Sequence, residues 1–228
     1  TGVFQSGENR ITCFHGSVHG QVDLQTSFAK SCNCSFANLG LMLPREEFGD
    51  TIDSLLFHEK LPIELPYRQS GADIGADSPD ADVIQTAIGQ GKTQMTPMHL
   101  NLITMAIANE GVLMKPYLVD RVENAYGEAV DTNSPQEYGQ LLSREEAAVL
   151  TSLMESVVTE GTGRQLQDRS YTAAGKTGSA EFSDDTDESH AWFTGFAPAQ
   201  DPKIAVTVVV ESIGSGGDYA VPLARRGF

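Results

Sequence analysis

One segment of this chain carries a lysine and two hydroxyls that could act together on a bound molecule. Lys176, Thr177, Gly178 and Ser179 follow one another on an apparent strand, where alternate side chains share a face. We expect Lys176 and Gly178 to point one way and the hydroxyls the other, unless the strand twists. The glycine removes a side chain where a ligand could lie against the backbone. Taken alone, the segment is also typical of an exposed edge strand, since polar strands with glycine are common.

Two further polar segments lie close together near the start of the chain. Ser31-Cys32-Asn33 stands directly before an apolar helix and would present a hydroxyl and an amide together at a cleft. Alternatively, it is an ordinary helix N-cap, for which serine and asparagine are both favoured. Ser27 and Lys30 have the S-x-x-K spacing, which puts a lysine one helical turn from a serine so that it can accept the serine's proton.

The elements that position these segments are predicted from periodicity, capping and turn residues. Ser143 with Glu146 is a capping box, and Thr96 followed by Pro97 is a helix start. We predict an irregular or hairpin segment over 1–21, helices over 23–30, 34–43, 45–57, 96–111, 143–159 and 218–226, a long surface loop with short strand pieces over 60–95, an extended segment over 112–123, and strands over 171–182, 190–197 and 203–211, the last two joined as a hairpin.

This order of elements indicates the fold class. Helices come first, then a block of consecutive strands, then a helix, which is the pattern of an α+β fold with helices packed on an antiparallel sheet. Apolar residues make up 40% of the 228, enough for a sizeable core. Nothing in the sequence forces a second domain, so we expect 1–228 to form one domain.

The charge of the chain excludes some partners. With 31 acidic and 15 basic side chains the net charge is −16, so the surface repels nucleic acid and anionic membranes. No apolar run approaches the roughly 20 residues needed to span a bilayer. The first residue is Thr1 rather than Met, and we expect the chain to be a fragment or a processed form.

A resemblance to a known family rests on the order of these motifs. S-x-N at Ser31, followed far downstream by K-T-G at Lys176, is two thirds of the motif set of the serine penicillin-recognising enzymes, whose third member is S-x-x-K. The match is better to the high-molecular-weight class B transpeptidases than to the β-lactamases. The segments that resemble the family, in the expected order, are 19–24, 31–40, 88–91, 96–98, 108–112, 115–116, 161–163, 176–181 and 191–198.

The resemblance implies a β-lactamase/transpeptidase-like fold without its N-terminal part, and the acyl transfer that crosslinks peptidoglycan. In that reaction a serine attacks the penultimate D-Ala carbonyl of a stem peptide ending in D-Ala-D-Ala, and the terminal D-Ala leaves. An amine of a neighbouring strand then resolves the acyl-enzyme. β-Lactams mimic the D-Ala-D-Ala end and leave a slow acyl-enzyme. Stem peptides and β-lactams are thus the implied partners, and no cofactor is implied.

The resemblance also implies a role for each motif residue. Ser31 would pass a proton toward the leaving nitrogen, and Asn33 would hydrogen-bond the substrate's backbone amide. Lys176 would supply positive potential that holds Ser31 in a proton-relay state and attracts the substrate carboxylate. The hydroxyls of Thr177 and Ser179 would bind that carboxylate. The backbone N–H of Ser179 would be half of the oxyanion hole. The implied substrate-binding residues are Thr177, Gly178 and Ser179.

Ser27 and Lys30 do not fit the role of the nucleophile and its lysine. The family places S-x-x-K roughly fifty or more residues before S-x-N, on a different helix, whereas this pair directly precedes Ser31. We expect the true nucleophile to lie upstream of Thr1, and the chain alone to be inactive.

Two related functions stay open at this point. A penicillin-sensing receptor domain keeps the same motifs and acylates to signal, and a serine β-lactamase needs a deacylating base. By resemblance, the parent protein would be anchored in the bacterial cytoplasmic membrane, with this domain on the extracytoplasmic face beside cell-wall synthesis partners.

Cysteine and histidine side chains near the N-terminus raise the question of a metal. Zinc accepts these ligand types, but their spacings match no standard zinc knuckle and the resemblance needs no metal, so we predict none. An odd number of cysteines cannot form a full disulfide framework, and a pairing of the first with either of the others is geometrically open. The residues concerned are Cys13, His15, His19, Cys32 and Cys34.

Overall fold

The N-terminal part of the fold is a hairpin followed by four helices. In the computed structural model, which describes residues 2–167, 170–181 and 189–228, the hairpin is antiparallel with Val3 opposite Thr12. The elements are β1 (Val3–Ser6), β2 (Asn9–Thr12), α1 (Leu24–Ala29), α2 (Asn33–Met42), α3 (Arg45–Ser54) and α4 (Asp80–Ala87).

Helices α2 and α4 pack closely enough that glycine is required between them. A Cβ on Gly40 would lie 2.6 Å from the Cβ of Ala87, closer than real side chains approach. Ile11 of β2, Ala37 of α2 and Ile84 of α4 share one buried cluster. This packing fixes the hairpin against α2, whose first turn carries part of the S-x-N motif.

The middle of the chain supplies two long helices with small strands between them. Both helix starts confirm the sequence prediction: the hydroxyl of Thr96 accepts from the N–H of His99 at 3.2 Å, and Ser143 forms a capping box with Glu146. β3 pairs with β6 and β4 with β5, as two small sheets. The elements are α5 (Pro97–Ala108), β3 (Val112–Met114), β4 (Arg121–Glu123), β5 (Ala129–Thr132), β6 (Glu137–Gln140) and α6 (Arg144–Thr159).

The central sheet is formed by three antiparallel strands and carries helices on both faces. Phe193 is fully buried with residues of the last helix, whereas Phe196 is fully buried beside Met154 of α6 and Ile107 of α5. Phe193 and Phe196 are three residues apart on one strand, so they point to opposite faces. The elements are β7 (Ala174–Glu181), β8 (Ser189–Ala197), β9 (Ile204–Val210) and α7 (Val221–Gly227), in the strand order β7-β8-β9.

The α+β prediction is confirmed, but the prediction of only loop and short strand pieces over 60–95 is wrong at α4. Pro79 precedes this helix, and Asp80 and Asp82 lie in its first turn, where acidic side chains favour the helix dipole. Val83 and Ile84 are buried. An eight-residue helix is marginal in isolation, so its stability comes from packing on α2, which local sequence signals do not reveal.

The remaining differences concern the ends of elements. Within the predicted strand 171–182, pairing begins at Ala174 and continues to Glu181, and Phe182 lies outside the described residues. The C-terminal helix begins earlier than predicted, with a π-helical turn over Gly216–Ala220. None of the described helices is both long and apolar enough to cross a membrane.

Candidate active site

The two polar motifs meet at the free edge of strand β7. The Nζ atom of Lys176 lies 2.8 Å from the Oγ atom of Ser31, although 145 residues separate them in sequence. The same ammonium donates to the carbonyl of Thr177 at 2.7 Å, and it lies 5.7 Å from the ring centroid of Phe28, within cation–π range. Among the described strands none pairs with this edge, so it stays open to a bound molecule.

A left-handed turn presents the hydroxyl of Ser31. Ser31 has a φ of 53°. Its N–H donates to the carbonyl of Phe28 at 3.1 Å, and the N–H of Cys32 donates to the carbonyl of Ser27 at 2.9 Å. These two bonds form a Schellman motif at the end of α1, in which the left-handed position is usually glycine. A serine at this position carries backbone strain, a feature that clusters at functional sites.

Asn33 begins helix α2 directly beside this turn. Its Nδ2 donates to the carbonyl of Thr12 at 3.3 Å, so the amide is fixed against the end of β2, and its side chain lines the groove along β7. The N-cap residue of α2 is Cys32, and no side chain caps the helix. The alternative that this motif is an ordinary helix cap is therefore wrong, because the Ser31 hydroxyl faces Lys176 instead.

The remaining K-T-G-S side chains are held by two neighbouring turns. Thr177 is buried, and its Oγ1 lies 2.5 Å from the Oγ1 of Thr162. The hydroxyl of Ser179 accepts from the N–H of Gly216 at 3.2 Å. A Cβ on Gly216 would lie 2.4 Å from the carbonyl oxygen of Gly178, so glycine is required there. β7 is an edge strand, as the alternative interpretation of this segment expected, but it is packed and bonded rather than simply exposed.

A single groove runs along this edge and is lined by both motifs. Its volume is about 870 Å³, and polar and apolar groups both contribute to its walls. Because β7 is an edge strand, side chains of both its faces reach the groove. The lining includes the motif residues Ser31, Asn33, Lys176, Thr177, Gly178 and Ser179, with Phe28 and Thr162 beside them and Glu181, Asp218 and Tyr219 also in the walls.

Lys176 is the most perturbed cation of this groove. Part of the Lys176 side chain is exposed to the groove, but the rest is closely surrounded by protein atoms. Desolvation by these atoms lowers the pKa of Lys176 from 10.5 to about 8. The ammonium is therefore mostly charged at neutral pH and loses its charge in mildly alkaline solution.

The sequence alone assigns no role to Thr162 or to Phe28. A Cβ on Gly161 would lie 2.1 Å from the carbonyl oxygen of Ala29, and the N–H of Thr162 donates to that same oxygen at 3.1 Å. The G-T-G turn therefore docks on the end of α1 and brings Thr162 to Thr177. The signals for this in the sequence are the two glycines that flank the threonine and the resemblance of 161–163 to the family.

Comparison with known proteins identifies the family. A sequence profile described as "Penicillin binding protein transpeptidase domain" matches residues 2–227. The chain belongs to the penicillin-binding protein transpeptidase family.

Relatives among the penicillin-binding proteins confirm the class B resemblance. The peptidoglycan D,D-transpeptidase PbpA of Mycolicibacterium smegmatis is 34% identical over 213 residues, which cover 90% of this chain and 43% of that protein. Stage V sporulation protein D of Bacillus subtilis is 31% identical over 224 residues, covering 94% and 34% respectively. The crystal structure of PBPA from Mycobacterium tuberculosis has a TM-score of 0.85 at 29% identity, covering 96% of this chain and 51% of that one. The chain thus spans less than half the length of these two curated relatives.

The serine of the S-x-x-K in this penicillin-binding protein chain is not part of the groove, although Lys30 lines it. Ser27 is 3% exposed, and its hydroxyl donates to the Oγ of Ser35 at 3.0 Å. Ser27 is absent from the lining of the groove, whereas Ser31 and Lys176 face each other across it. The geometry therefore agrees with the expectation that Ser27 is not a nucleophile.

Proposed function

We propose that residues 1–228 form the S-x-N and K-T-G walls of a peptidoglycan D,D-transpeptidase site, which transfers an acyl group between stem peptides ending in D-Ala-D-Ala. The observation that carries the proposal is the 2.8 Å contact between Lys176 and Ser31, which unites both motifs in one groove. Relatives named peptidoglycan D,D-transpeptidase, and M. tuberculosis PBPA structures titled as ceftriaxone and imipenem acyl-enzyme complexes, support it.

The cationic end of the groove suits the terminal carboxylate of a stem peptide or of a β-lactam. Lys176 supplies the charge, and the hydroxyls of Thr177 and Ser179 supply donors, which together recognise a carboxylate better than a neutral group. Gly178 leaves room for the substrate backbone against β7, and the backbone N–H of Ser179 donates to the developing oxyanion.

The opposite wall handles the proton and the peptide amide. Ser31 passes a proton toward the leaving nitrogen, and the neighbouring ammonium of Lys176 stabilises the charge that develops on the serine oxygen. Asn33 hydrogen-bonds the substrate amide with its side chain, which is already oriented by the carbonyl of Thr12. The fixed positions of these groups lower the entropy cost of reaching the reactive geometry.

The attacking serine, in this proposal, comes from a part of the protein outside residues 1–228. Ser27–Lys30 is the only S-x-x-K in the sequence, and the Ser27 hydroxyl is buried and bonded to Ser35. The parent protein is anchored in the bacterial membrane with this domain on the extracytoplasmic side, where peptidoglycan and cell-wall synthesis partners are found. Residues 1–228 alone therefore bind without covalent chemistry.

Covalent labelling by a fluorescent penicillin tests this proposal. The protein that contains residues 1–228 together with the preceding S-x-x-K segment is expected to give a labelled band that survives denaturing electrophoresis, and residues 1–228 alone are expected to give none. Ser27→Ala should retain labelling within about threefold, since surface and buried polar changes remote from the chemistry alter stability rather than rate. Ser35→Ala is the matched control, because it breaks the same hydrogen bond.

Two outcomes would contradict the proposal. Labelling that disappears in Ser27→Ala but persists in Ser35→Ala, with equal circular dichroism, would make Ser27 the nucleophile. Sustained hydrolysis of nitrocefin by the parent protein would instead identify a β-lactamase.

A further inference from the structure

Three thiols converge beside the S-x-N motif. The Sγ of Cys13 lies 3.6 Å from the Sγ of Cys32 and 3.6 Å from the Sγ of Cys34. Cys13 follows strand β2, and the other two lie at the start of helix α2, so the cluster joins the hairpin to the helix. Cys13 and Cys32 are buried and Cys34 is partly buried, and none of the three is in a disulfide.

An imidazole completes this cluster. A ring nitrogen of His19 lies within 4.8 Å of the sulfurs of Cys13 and Cys32, and these two lie within the same distance of each other. The Nδ1 of His19 is buried and has no hydrogen-bond partner among the described residues. A buried polar nitrogen without a partner costs free energy, so its position needs an explanation. Burial, and the nearby charge of Lys30, lower the pKa of His19.

We propose that Cys13, His19 and Cys32 bind a zinc ion, with Cys34, whose Sγ lies beside that of Cys13, as the fourth ligand; this revises the sequence-based expectation of no metal. Three cysteines and one histidine are a common ligand set of structural zinc sites. With zinc–sulfur bonds of about 2.3 Å, the sulfurs of a tetrahedral site lie about 3.8 Å apart. The two observed sulfur–sulfur distances of 3.6 Å are close to this value. The site does not depend on the proposed acyl transfer.

A disulfide explains less of the cluster than a metal does. A disulfide would join Cys13 to one other cysteine and leave the third thiol and the Nδ1 of His19 without a role. Other contacts of the sulfurs are weak: the hydroxyl of Ser35 lies 3.3 Å from the Sγ of Cys32, and the Sγ of Cys34 lies 3.7 Å from the carbonyl of Ile11. Neither contact competes with a zinc–thiolate bond.

Metal binding at this place would displace thiol protons to solvent. Burial raises the pKa of the Cys13 thiol to about 12, so the thiol keeps its proton at neutral pH when no metal is present. A coordinated thiol is deprotonated by the charge of the ion. The zinc charge thus offsets the desolvation that otherwise disfavours a buried thiolate.

The position of the cluster gives the metal a structural task. Cys32 lies between Ser31 and Asn33, so a zinc ion bound to Cys32 and Cys13 would tie the S-x-N turn to the end of the hairpin. The strained backbone of Ser31 would then be held in place from behind. The ion is a structural one, because its protein ligands close the coordination shell and leave no position for a substrate.

Zinc titration of the reduced protein tests the site. The full protein is reduced, freed of metal and titrated with Zn²⁺ alone against a chromogenic chelator, and bound zinc is counted by elemental analysis. We expect one zinc per chain, a higher thermal midpoint with zinc, and thiolate charge-transfer absorption with Co²⁺. Cys13→Ser and His19→Ala should each weaken zinc binding by at least the roughly 100-fold that loss of an outer-shell partner can cost. His15→Ala, which replaces a nearby exposed imidazole outside the cluster, should leave the affinity unchanged.

The proposal is overturned if the reduced protein binds no zinc, or if His15→Ala weakens binding as much as His19→Ala. Titration before and after reduction shows whether the protein as isolated contains a disulfide, because a disulfide would block zinc binding until it is reduced. Circular dichroism of the metal-free variants shows whether they fold. If Cys13→Ser does not fold, Cys34→Ser, at the more exposed edge of the cluster, replaces it. Unchanged zinc affinity in both Cys34→Ser and His19→Ala then overturns the proposal.

Discussion

Acylation by a fluorescent penicillin is expected to fall by at least ~10²-fold to 10³-fold when Lys176 is replaced by alanine in the protein that carries the nucleophile. The Lys176 ammonium lies 2.8 Å from the Ser31 hydroxyl and lines the groove in which the carboxylate would bind. Its loss removes the charge that attracts the carboxylate and leaves Ser31 without its cationic partner. The measurement is the second-order rate constant of labelling, followed by gel fluorescence.

Lys30 provides the matched control for this prediction. It is an exposed lysine that lines the same groove, and in the sequence it belongs to the S-x-x-K that we exclude from catalysis. Lys30→Ala is expected to label at close to the wild-type rate. Equal losses in the two variants would show that the overall positive potential matters rather than Lys176 itself, and wild-type labelling of Lys176→Ala would refute its role.

The pH dependence of acylation gives an independent check on Lys176. Its pKa is lowered from 10.5 to about 8 by desolvation, so the group is charged below about pH 8 and neutral above it. The rate of acylation should therefore fall as the pH rises through about 8. Lys176→Arg, which stays protonated throughout this range, should lack that decline even if its overall rate is lower.

The same pKa shift predicts the opposite trend for folding stability. Between about pH 8 and 10.5 the unfolded chain holds the Lys176 proton and the folded chain does not, so this group's contribution to the free energy of unfolding rises with pH. Activity should thus decline over a range in which the cost of burying the charged Lys176 is relieved. A decline in activity that follows alkaline unfolding instead would contradict the assignment.

The local parts of this fold could be predicted, and the long-range parts could not. The capping box at Ser143 and the threonine–proline start of α5 depend on neighbours in sequence, and both are present as predicted. Helix α4 was missed because its stability depends on the close approach of Gly40 to Ala87, which is a tertiary contact. Hydrophobic periodicity over eight residues cannot distinguish such a helix from a loop.

The candidate site was predicted by resemblance rather than by spacing. No local rule places Lys176 against Ser31 across 145 residues, and as isolated strings the two motifs were also compatible with an edge strand and a helix cap. The contact of Thr162 with Thr177 was missed, and His19 was set aside as a metal ligand, for the same reason, since each acquires its partners only when distant turns pack together. What the sequence could not indicate is the left-handed backbone of Ser31, because serine has no preference for it.

Replacement of Ser31 is expected to separate catalysis from stability. Ser31→Ala and Ser31→Gly both remove the hydroxyl that faces Lys176, so both should lower the acylation rate by about 10²-fold to 10⁴-fold, the usual effect of losing a proton-transfer group. The measurement is again the rate constant of labelling. Ser35→Ala, which removes a nearby hydroxyl outside the groove, should label at close to the wild-type rate.

The two substitutions at Ser31 should differ in stability because the backbone there has a φ of 53°. Alanine retains the strain of the left-handed conformation, whereas glycine adopts it without a Cβ clash but loses more entropy on folding. Ser31→Gly should therefore be about 0.5 to 1 kcal/mol more stable than Ser31→Ala, measured as the free energy of unfolding in urea. If the two variants are equally stable, the turn is not strained. If either of them labels like wild type, the serine hydroxyl has no part in acylation, and the strained position is then explained by the fold alone.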